Sequence, residues 1–155
     1  MAGENPCSQA AREGWRVDSG HRDIRLTLPA RRENVAVVRH VLGALAEALD
    51  LPPAVTEDVR LAVTEACTNV VRHAYGARGG DIDVVVRPSG RALEVIVTDA
   101  GRGIGPSPDT SGPGLGLPLI AALADSLEIH RSPSAGSWLV MSFLRNRTRP
   151  ATGFA

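Results

Sequence analysis

The chain has 155 residues, 43% of them hydrophobic, so it is long enough to bury one core and too apolar to be disordered throughout. Its 17 basic and 17 acidic residues cancel, which disfavours a direct partner that is nucleic acid or an anionic membrane. No run is long enough to span a membrane and the N-terminus lacks the apolar core of a signal peptide, so we expect a cytoplasmic protein.

The first part of the chain predicts an arm, a strand and a helix. Residues 1–22 mix Gly, Ser, Pro and charge without periodicity, which predicts a flexible arm with a short strand near Trp15 to Val17. The alternating segment Asp23–Leu28 predicts a strand. Apolar residues then step by three and four from Arg32 to Leu49, which predicts a helix.

A second helix follows a proline pair. Pro52 and Pro53 are expected to end the first helix, and Thr56, with acidic residues directly after it, resembles a helix start. We predict that this helix runs to about Ala74. Cys67 lies within it, and a small buried thiol is its expected role, since two cysteines are too few for a disulfide framework.

The second half predicts four more strands and a third helix. Gly, Pro, Ser and Asp between positions 100 and 113 predict a loop. The predicted elements are the strands Asp81–Arg87 and Ala92–Asp99, a helix over Leu117–Ser126, and the strands Leu127–Arg131 and Ser137–Leu144.

This order of elements predicts the fold class. Adjacent strands joined by short turns favour an α+β, two-layer sandwich with a mixed, mostly antiparallel sheet and helices on one face. A Rossmann fold would alternate strand and helix throughout, and its glycine spacing is absent. The predicted domain spans residues 23–145, with residues 146–155 as a C-terminal tail.

Three motifs carry candidate chemistry. On the second helix Glu65, Asn69 and His73 share a stripe with Asp58 and Ala62, which suits either a solvated helix face or the wall of a site holding Mg²⁺. The apolar strand "VIVTD" delivers Asp99 into Gly101 and Gly103, which is either a simple turn or a pocket for an amine-bearing ring.

The third motif is "SGPGLGLPL", in which glycines open an apolar helix. Backbone N–H groups at a helix start can bind an anion, although a flexible loop before a core helix has the same composition. All 17 basic residues are arginine. P-loop proteins and eukaryotic-type kinases use a lysine to contact the phosphates of ATP, so ATP would have to bind this chain by another route. The alternative reason for the missing lysine is a GC-rich genome, in which arginine codons prevail.

In order and spacing, the three motifs resemble the N box and the two glycine boxes of the Bergerat-fold ATPases, the superfamily of gyrase and histidine kinases. Within it, "EACTNVVRHAY" is most similar to the anti-sigma-factor serine kinases, whose N box ends in His-(Ala or Gly)-Tyr. The resemblance covers about Ile24 to Leu144 and implies the histidine-kinase-like ATP-binding fold.

The resemblance also implies roles for the residues of each motif. Glu65 becomes the candidate base for the attacking hydroxyl, and Asn69 the ligand of Mg²⁺ and the nucleotide. Asp99 would bind the adenine amine. The remaining implied nucleotide contacts are Gly101, Gly103, Gly114, Leu115, Gly116 and Ser137.

Two further groups of residues match the family pattern. Arg39 matches an arginine that docks partners, with an ordinary solvated helix arginine as the alternative. His73 and Tyr75 match the end of the N box and are interpreted as structural. Arg102 could reach a phosphate or simply lie exposed in its loop.

The implied function is that of an ATP- and Mg²⁺-dependent serine kinase. It would phosphorylate a STAS-domain antagonist, sequester a sigma factor and form a homodimer. Only about ten residues, Ile104 to Pro113, separate the glycine boxes, and their hydroxyls are those of Ser107, Thr110 and Ser111. A short lid holds the γ-phosphate less well, so a nucleotide-switched binding module without phosphotransfer remains the alternative. A detached histidine-kinase domain is a weaker one.

Overall fold

The protein is one antiparallel sheet whose inner face packs against helices. The computed structural model describes residues 23–101, 116–132 and 134–147. In chain order its elements are β1 (Ile24–Pro29), α1 (Arg32–Ala48), α2 (Pro53–Asn69), a π-helical turn (Val70–Ala74), β2 (Asp81–Pro88), β3 (Ala92–Asp99), α3 (Gly116–Leu123), β4 (Ser126–Ser132) and β5 (Gly136–Leu144). The strands lie in the order β1-β2-β3-β5-β4, and every neighbouring pair is antiparallel. The predicted α+β class is confirmed, and no parallel pair occurs among these strands.

Strand β3 shows how the sheet positions a carboxylate. Leu93, Val95 and Val97 are buried, while the residues between them are partly exposed, as expected for a strand with one face on the core. The same period of two places Asp99, the last residue of the strand, on the buried face. A charged side chain is therefore held at the end of an apolar strand, where only 2% of it is exposed.

The helices bury small side chains against that face. Helix α2 buries a broad apolar face, and the alanines on this face let the helix approach the sheet. Its buried apolar residues are Val55, Val59, Ala62, Val63, Ala66 and Cys67. The expected burial of Cys67 is confirmed, and this burial raises the pKa of its thiol to about 12. None of the described helices is long and apolar enough to cross a membrane.

The α-helical part of α2 ends at Asn69, and the π-helical turn completes the predicted range to Ala74. The start of α2 and the end of α3 also differ from the sequence prediction. Helix α2 begins at Pro53 rather than Thr56, and the N–H of Thr56 already donates to the Pro52 carbonyl at 2.9 Å. Proline is tolerated at a first helical position, so the same residues that end one helix also open the next. Helix α3 ends at Leu123 rather than Ser126. The N–H of Asp125 donates to the Ser142 carbonyl of β5 at 2.8 Å, so it does not continue the helix.

Two members of the predicted stripe, Ala62 and Asp58, are buried instead. Asp58 is 6% exposed, and its Oδ2 lies 2.8 Å from Nη1 of Arg147. The guanidinium of Arg147 also contacts both carboxylate oxygens of Asp125 and donates to the Leu123 carbonyl at 2.5 Å. Arg147 belongs to the predicted tail, yet it ties α2 to the turn after α3. A helical wheel could not reveal this partner, which lies 89 residues away.

Candidate functional site

The end of α2 carries the first pair of candidate groups. Glu65 and Asn69 are both partly exposed, and an interval of four residues separates them by about 6 Å along the helix axis. Ala66 and Cys67, between them, face the core. The two polar side chains therefore lie on the exposed border of a helix whose other side is fixed by packing.

Asn69 meets the start of helix α3. A Cβ atom added at Gly116 would lie 3.0 Å from both Nδ2 and Oδ1 of Asn69. Any larger residue at position 116 would press on the carboxamide, so glycine leaves room for the asparagine side chain. The structure thus brings the N box and the second glycine box into direct contact.

Asp99 forms the second part of the site. Ser137 Oγ donates to its Oδ2 at 2.5 Å, and the N–H of Gly101 donates to its Oδ1 at 2.9 Å. Because Asp99 and Ser137 are register partners on β3 and β5, the sheet itself sets the first contact. A carboxylate oxygen accepts about two hydrogen bonds, so each oxygen keeps capacity for an external donor such as an amine or a water.

Two glycines allow the backbone to close tightly around Asp99. At Gly101 a Cβ atom would overlap the carbonyl of Ala74, and at Gly136 it would overlap the carbonyl of Asp99. Gly136 also has φ +85°, a conformation that favours glycine. The segment after β3 is therefore fitted between the end of the N box and the start of β5.

A π-helical turn and a tyrosine complete this arrangement, and the sequence reasoning missed their contribution. The five residues Val70–Ala74 follow α2 as a π-helix, a form that often occurs at functional sites. The next residue, Tyr75, donates its hydroxyl to the Asp81 carbonyl at 2.7 Å and accepts from the N–H of Ala100 at 2.9 Å. The His-Ala-Tyr ending was the available signal, but the partners of the tyrosine lie at the start of β2 and in the bend after β3.

The remaining predicted residues divide into two groups. Arg39 lies exposed on α1, on the side away from the core. The other predicted contacts lie outside the described residues, together with the loop between the glycine boxes: Arg102, Gly103, Gly114 and Leu115.

The described groups fit a nucleotide and its magnesium ion. Asp99 offers a desolvated acceptor for an exocyclic amine, and Asn69 offers a hard oxygen ligand beside the first residue of a helix. No cluster of three metal-binding side chains occurs among the described residues. Mg²⁺ bound with nucleotide needs few protein ligands, since phosphates and water supply the rest.

Comparisons with known proteins agree with this arrangement. The chain matches the family model of the histidine kinase-like ATPase domain over residues 28–143. A serine-protein kinase RsbW from Bacillus thuringiensis (strain Al Hakam) is 35% identical, over 68% of this chain and 76% of the relative. A serine-protein kinase RsbW from Halalkalibacterium halodurans is 37% identical, over 68% of this chain and 74% of the relative.

A solved structure supports the fold independently. The RsbU and RsbW domains of Rv1364c from Mycobacterium tuberculosis match with a TM-score of 0.65 and 21% identity, over 84% of this chain and 35% of that chain. The matched region is thus about a third of that solved chain. At this identity the likeness establishes the shape of the domain and no more.

Proposed function

Because the chain belongs to the family of histidine kinase-like ATPase domains, we propose that it is an ATP-dependent protein serine kinase and anti-sigma factor. Its substrate is a serine on a STAS-domain antagonist, and its second partner is a sigma factor. The observation that supports this most strongly is the pairing of two half-sites on one face of the sheet. Asp99 with Ser137 suits a purine amine, and Asn69 against Gly116 suits magnesium and phosphate.

The base end of the site is built from β3 and β5. Asp99 accepts from the adenine amine while Ser137 and the N–H of Gly101 hold its carboxylate in place. Gly101 contributes through its N–H, because the space of its missing side chain is filled by the Ala74 carbonyl. Gly103 is proposed to let a flat ring approach the backbone. Burial favours this contact because a charged hydrogen bond is stronger where water is excluded.

The phosphate end is built from α2 and the start of α3. Gly114, Leu115 and Gly116 are proposed to present backbone N–H groups to the triphosphate at the start of a helix. Asn69 would hold Mg²⁺, which neutralises charge on the phosphates when it is bound. This arrangement requires no lysine, in keeping with a chain whose basic residues are all arginine.

Glu65 performs the proton transfer in this proposal. The serine oxygen attacks the γ-phosphorus, the bond from that phosphorus to the bridging oxygen breaks, and ADP leaves. The hydroxyl proton passes to the Glu65 carboxylate. Its partly exposed position at the border of α2 allows a protein substrate to reach it.

The partner surface is proposed to include Arg39. Its exposed position on α1 leaves the guanidinium accessible to an acidic group of a sigma factor or antagonist. We also propose that the protein acts in the cytoplasm, where ATP and its partners are present. It is proposed to act there as a homodimer.

The alternative function uses nucleotide only as a switch. The short segment Ile104 to Pro113 favours it, because fewer residues are available to cover the γ-phosphate. In that case ATP would change the affinity for a partner without any transfer of phosphate.

Labelled ATP separates the two functions. The purified protein is incubated with γ-labelled ATP, Mg²⁺ and a STAS-domain protein from the same genome, and phosphoserine is located by mass spectrometry. The kinase proposal expects label on one partner serine and none after that serine is changed to alanine. Binding of Mg-ATP and partner without any label would instead establish the switch.

Asn69→Ala should weaken ATP binding only when magnesium is present. Loss of one metal ligand is expected to raise the Kd for ATP about tenfold in Mg²⁺. In EDTA the change should stay within about twofold. Isothermal titration calorimetry in the two buffers measures both values.

Asn146→Ala is the matched control, since Asn146 is exposed in the turn after β5. It should bind ATP as the unchanged protein does in both buffers. An Asn69→Ala protein that loses equal affinity in Mg²⁺ and EDTA would exclude the metal-ligand role.

A further inference from the structure

The only tyrosine of the chain joins strand β2 to the bend after β3, beside the proposed base pocket. Tyr75 follows the π-helical turn, and its hydroxyl donates to the Asp81 carbonyl at 2.7 Å. The same oxygen accepts from the N–H of Ala100 at 2.9 Å. One hydroxyl thus connects the start of β2 to the residue directly after Asp99.

The ring of Tyr75 is itself held in place. A Cβ atom at Gly80 would overlap the ring, so the aromatic face packs directly on this glycine. Burial raises the pKa of the Tyr75 phenol, and the nearby Asp99 and Asp81 carboxylates add to the effect against the lowering influence of the Ala100 N–H. The hydroxyl therefore stays protonated at neutral pH and keeps its donor role.

The segment Ala100–Gly101 is fixed from both sides. On one side Gly101 fits against the Ala74 carbonyl, and the N–H of Ala100 donates to the Tyr75 hydroxyl. On the other side Gly136 lies against Ala100 and the Asp99 carbonyl. Since the N–H of Gly101 holds Oδ1 of Asp99, the position of this segment determines where the carboxylate points.

We propose that Tyr75 is a positioning residue for base selection. It holds the turn after β3 so that Asp99 faces the adenine amine, and it touches neither the nucleotide nor the transferred phosphate. This inference rests on the proposed nucleotide site. It assigns the tyrosine of the N box a role in distinguishing adenine from guanine, because guanine presents a carbonyl oxygen where adenine presents its amine, and that oxygen is repelled by a fixed carboxylate.

Tyr75→Phe tests this role with little disturbance of packing. Phenylalanine keeps the ring against Gly80 and removes only the hydroxyl, which leaves Ala100 and Asp81 to bond separately to water. Loss of these two hydrogen bonds is expected to reduce the preference for ATP over GTP about tenfold. Affinity for inorganic tripolyphosphate in Mg²⁺ should change less than about twofold, since its binding groups are elsewhere.

The measurements are calorimetric titrations with ATP, GTP and tripolyphosphate, with circular dichroism melting as the check of folding. An unchanged preference for ATP in a folded Tyr75→Phe protein would overturn the inference. So would an equal loss of affinity for all three ligands, because that is the result of general destabilisation. Failure of the unchanged protein to bind any nucleotide would overturn the proposed function as well, and the two failures are therefore distinguishable.

A fluorinated tyrosine gives a second test without mutation. Because Tyr75 is the only tyrosine, biosynthetic replacement labels this position alone. Fluorination lowers the phenol pKa, and the phenolate can no longer donate to the Asp81 carbonyl. The preference for ATP over GTP should fall as pH rises through the new pKa and stay constant over that range in the ordinary protein. A preference independent of pH in both proteins would contradict the positioning role.

Discussion

Glu65→Gln is expected to reduce phosphate transfer by at least about a hundredfold, since a positioned general base contributes roughly 10²–10⁴ in rate. Glutamine has the same shape but cannot accept the hydroxyl proton. Residue 65 lies one turn before Asn69 on the border of α2, and the substitution leaves Asn69 and the other proposed nucleotide contacts unchanged. The Kd for ATP should therefore remain within about threefold of its normal value.

Single-turnover transfer of labelled phosphate to the STAS-domain partner measures the first effect, and calorimetry the second. Glu57→Gln is the control, because Glu57 is an exposed glutamate on the same helix. It should transfer at the normal rate. Normal transfer by Glu65→Gln would assign the base to another group, and an equal loss of transfer and ATP affinity would assign Glu65 to binding.

Asp99→Asn should lower ATP affinity by about ten- to a hundredfold, the usual value of a hydrogen bond to a charged group. The substitution replaces one acceptor oxygen of the carboxylate with an NH₂ group, which is a donor. A carboxamide can direct its NH₂ group at the adenine amine, and both groups then lack an acceptor in a site where only 2% of residue 99 is exposed. The preference for ATP over GTP should fall with it.

Two controls separate this effect from a loss of stability. Asp83→Asn changes a carboxylate on β2 that bonds to Thr27 and faces the opposite side of the sheet, so its ATP affinity should not change. Binding of tripolyphosphate by Asp99→Asn should also stay near normal. A folded Asp99→Asn protein that binds ATP with full affinity would show that the base is recognised elsewhere.

The local patterns predicted most of the elements correctly. The apolar segment Ala92–Asp99 identified strand β3, and the structure added that alternate residues of this strand, Asp99 included, face the core. Steps of three and four residues identified α1 and α2 for the equivalent helical reason. The boundary at Pro53 was less accurate, since proline is compatible with both a helix end and a helix start. The end of α3 at Leu123 was also misplaced, since it depends on a hydrogen bond to β5 that the sequence does not reveal.

Contacts between distant residues were beyond such patterns. Asp58 has the helical phase of Glu65 and Asn69, but its partner Arg147 lies in a segment without periodicity. The hydroxyl of Tyr75 reaches Ala100, 25 residues away, through a π-helical turn that no spacing rule indicates. In each case the partner is chosen by how elements pack, which local preference does not encode.

The sequence by itself determined the element types, the family resemblance and the identity of the candidate groups, because periodicity and motif spacing are local properties of the chain. Only the tertiary structure decided which of these groups meet. The β3–β5 register joins Asp99 to Ser137 across 38 residues, and the packing of α3 against α2 places Gly116 on Asn69. Both contacts depend on how the sheet and helices are arranged in space, and a site assembled from their ends exists only once that arrangement has formed.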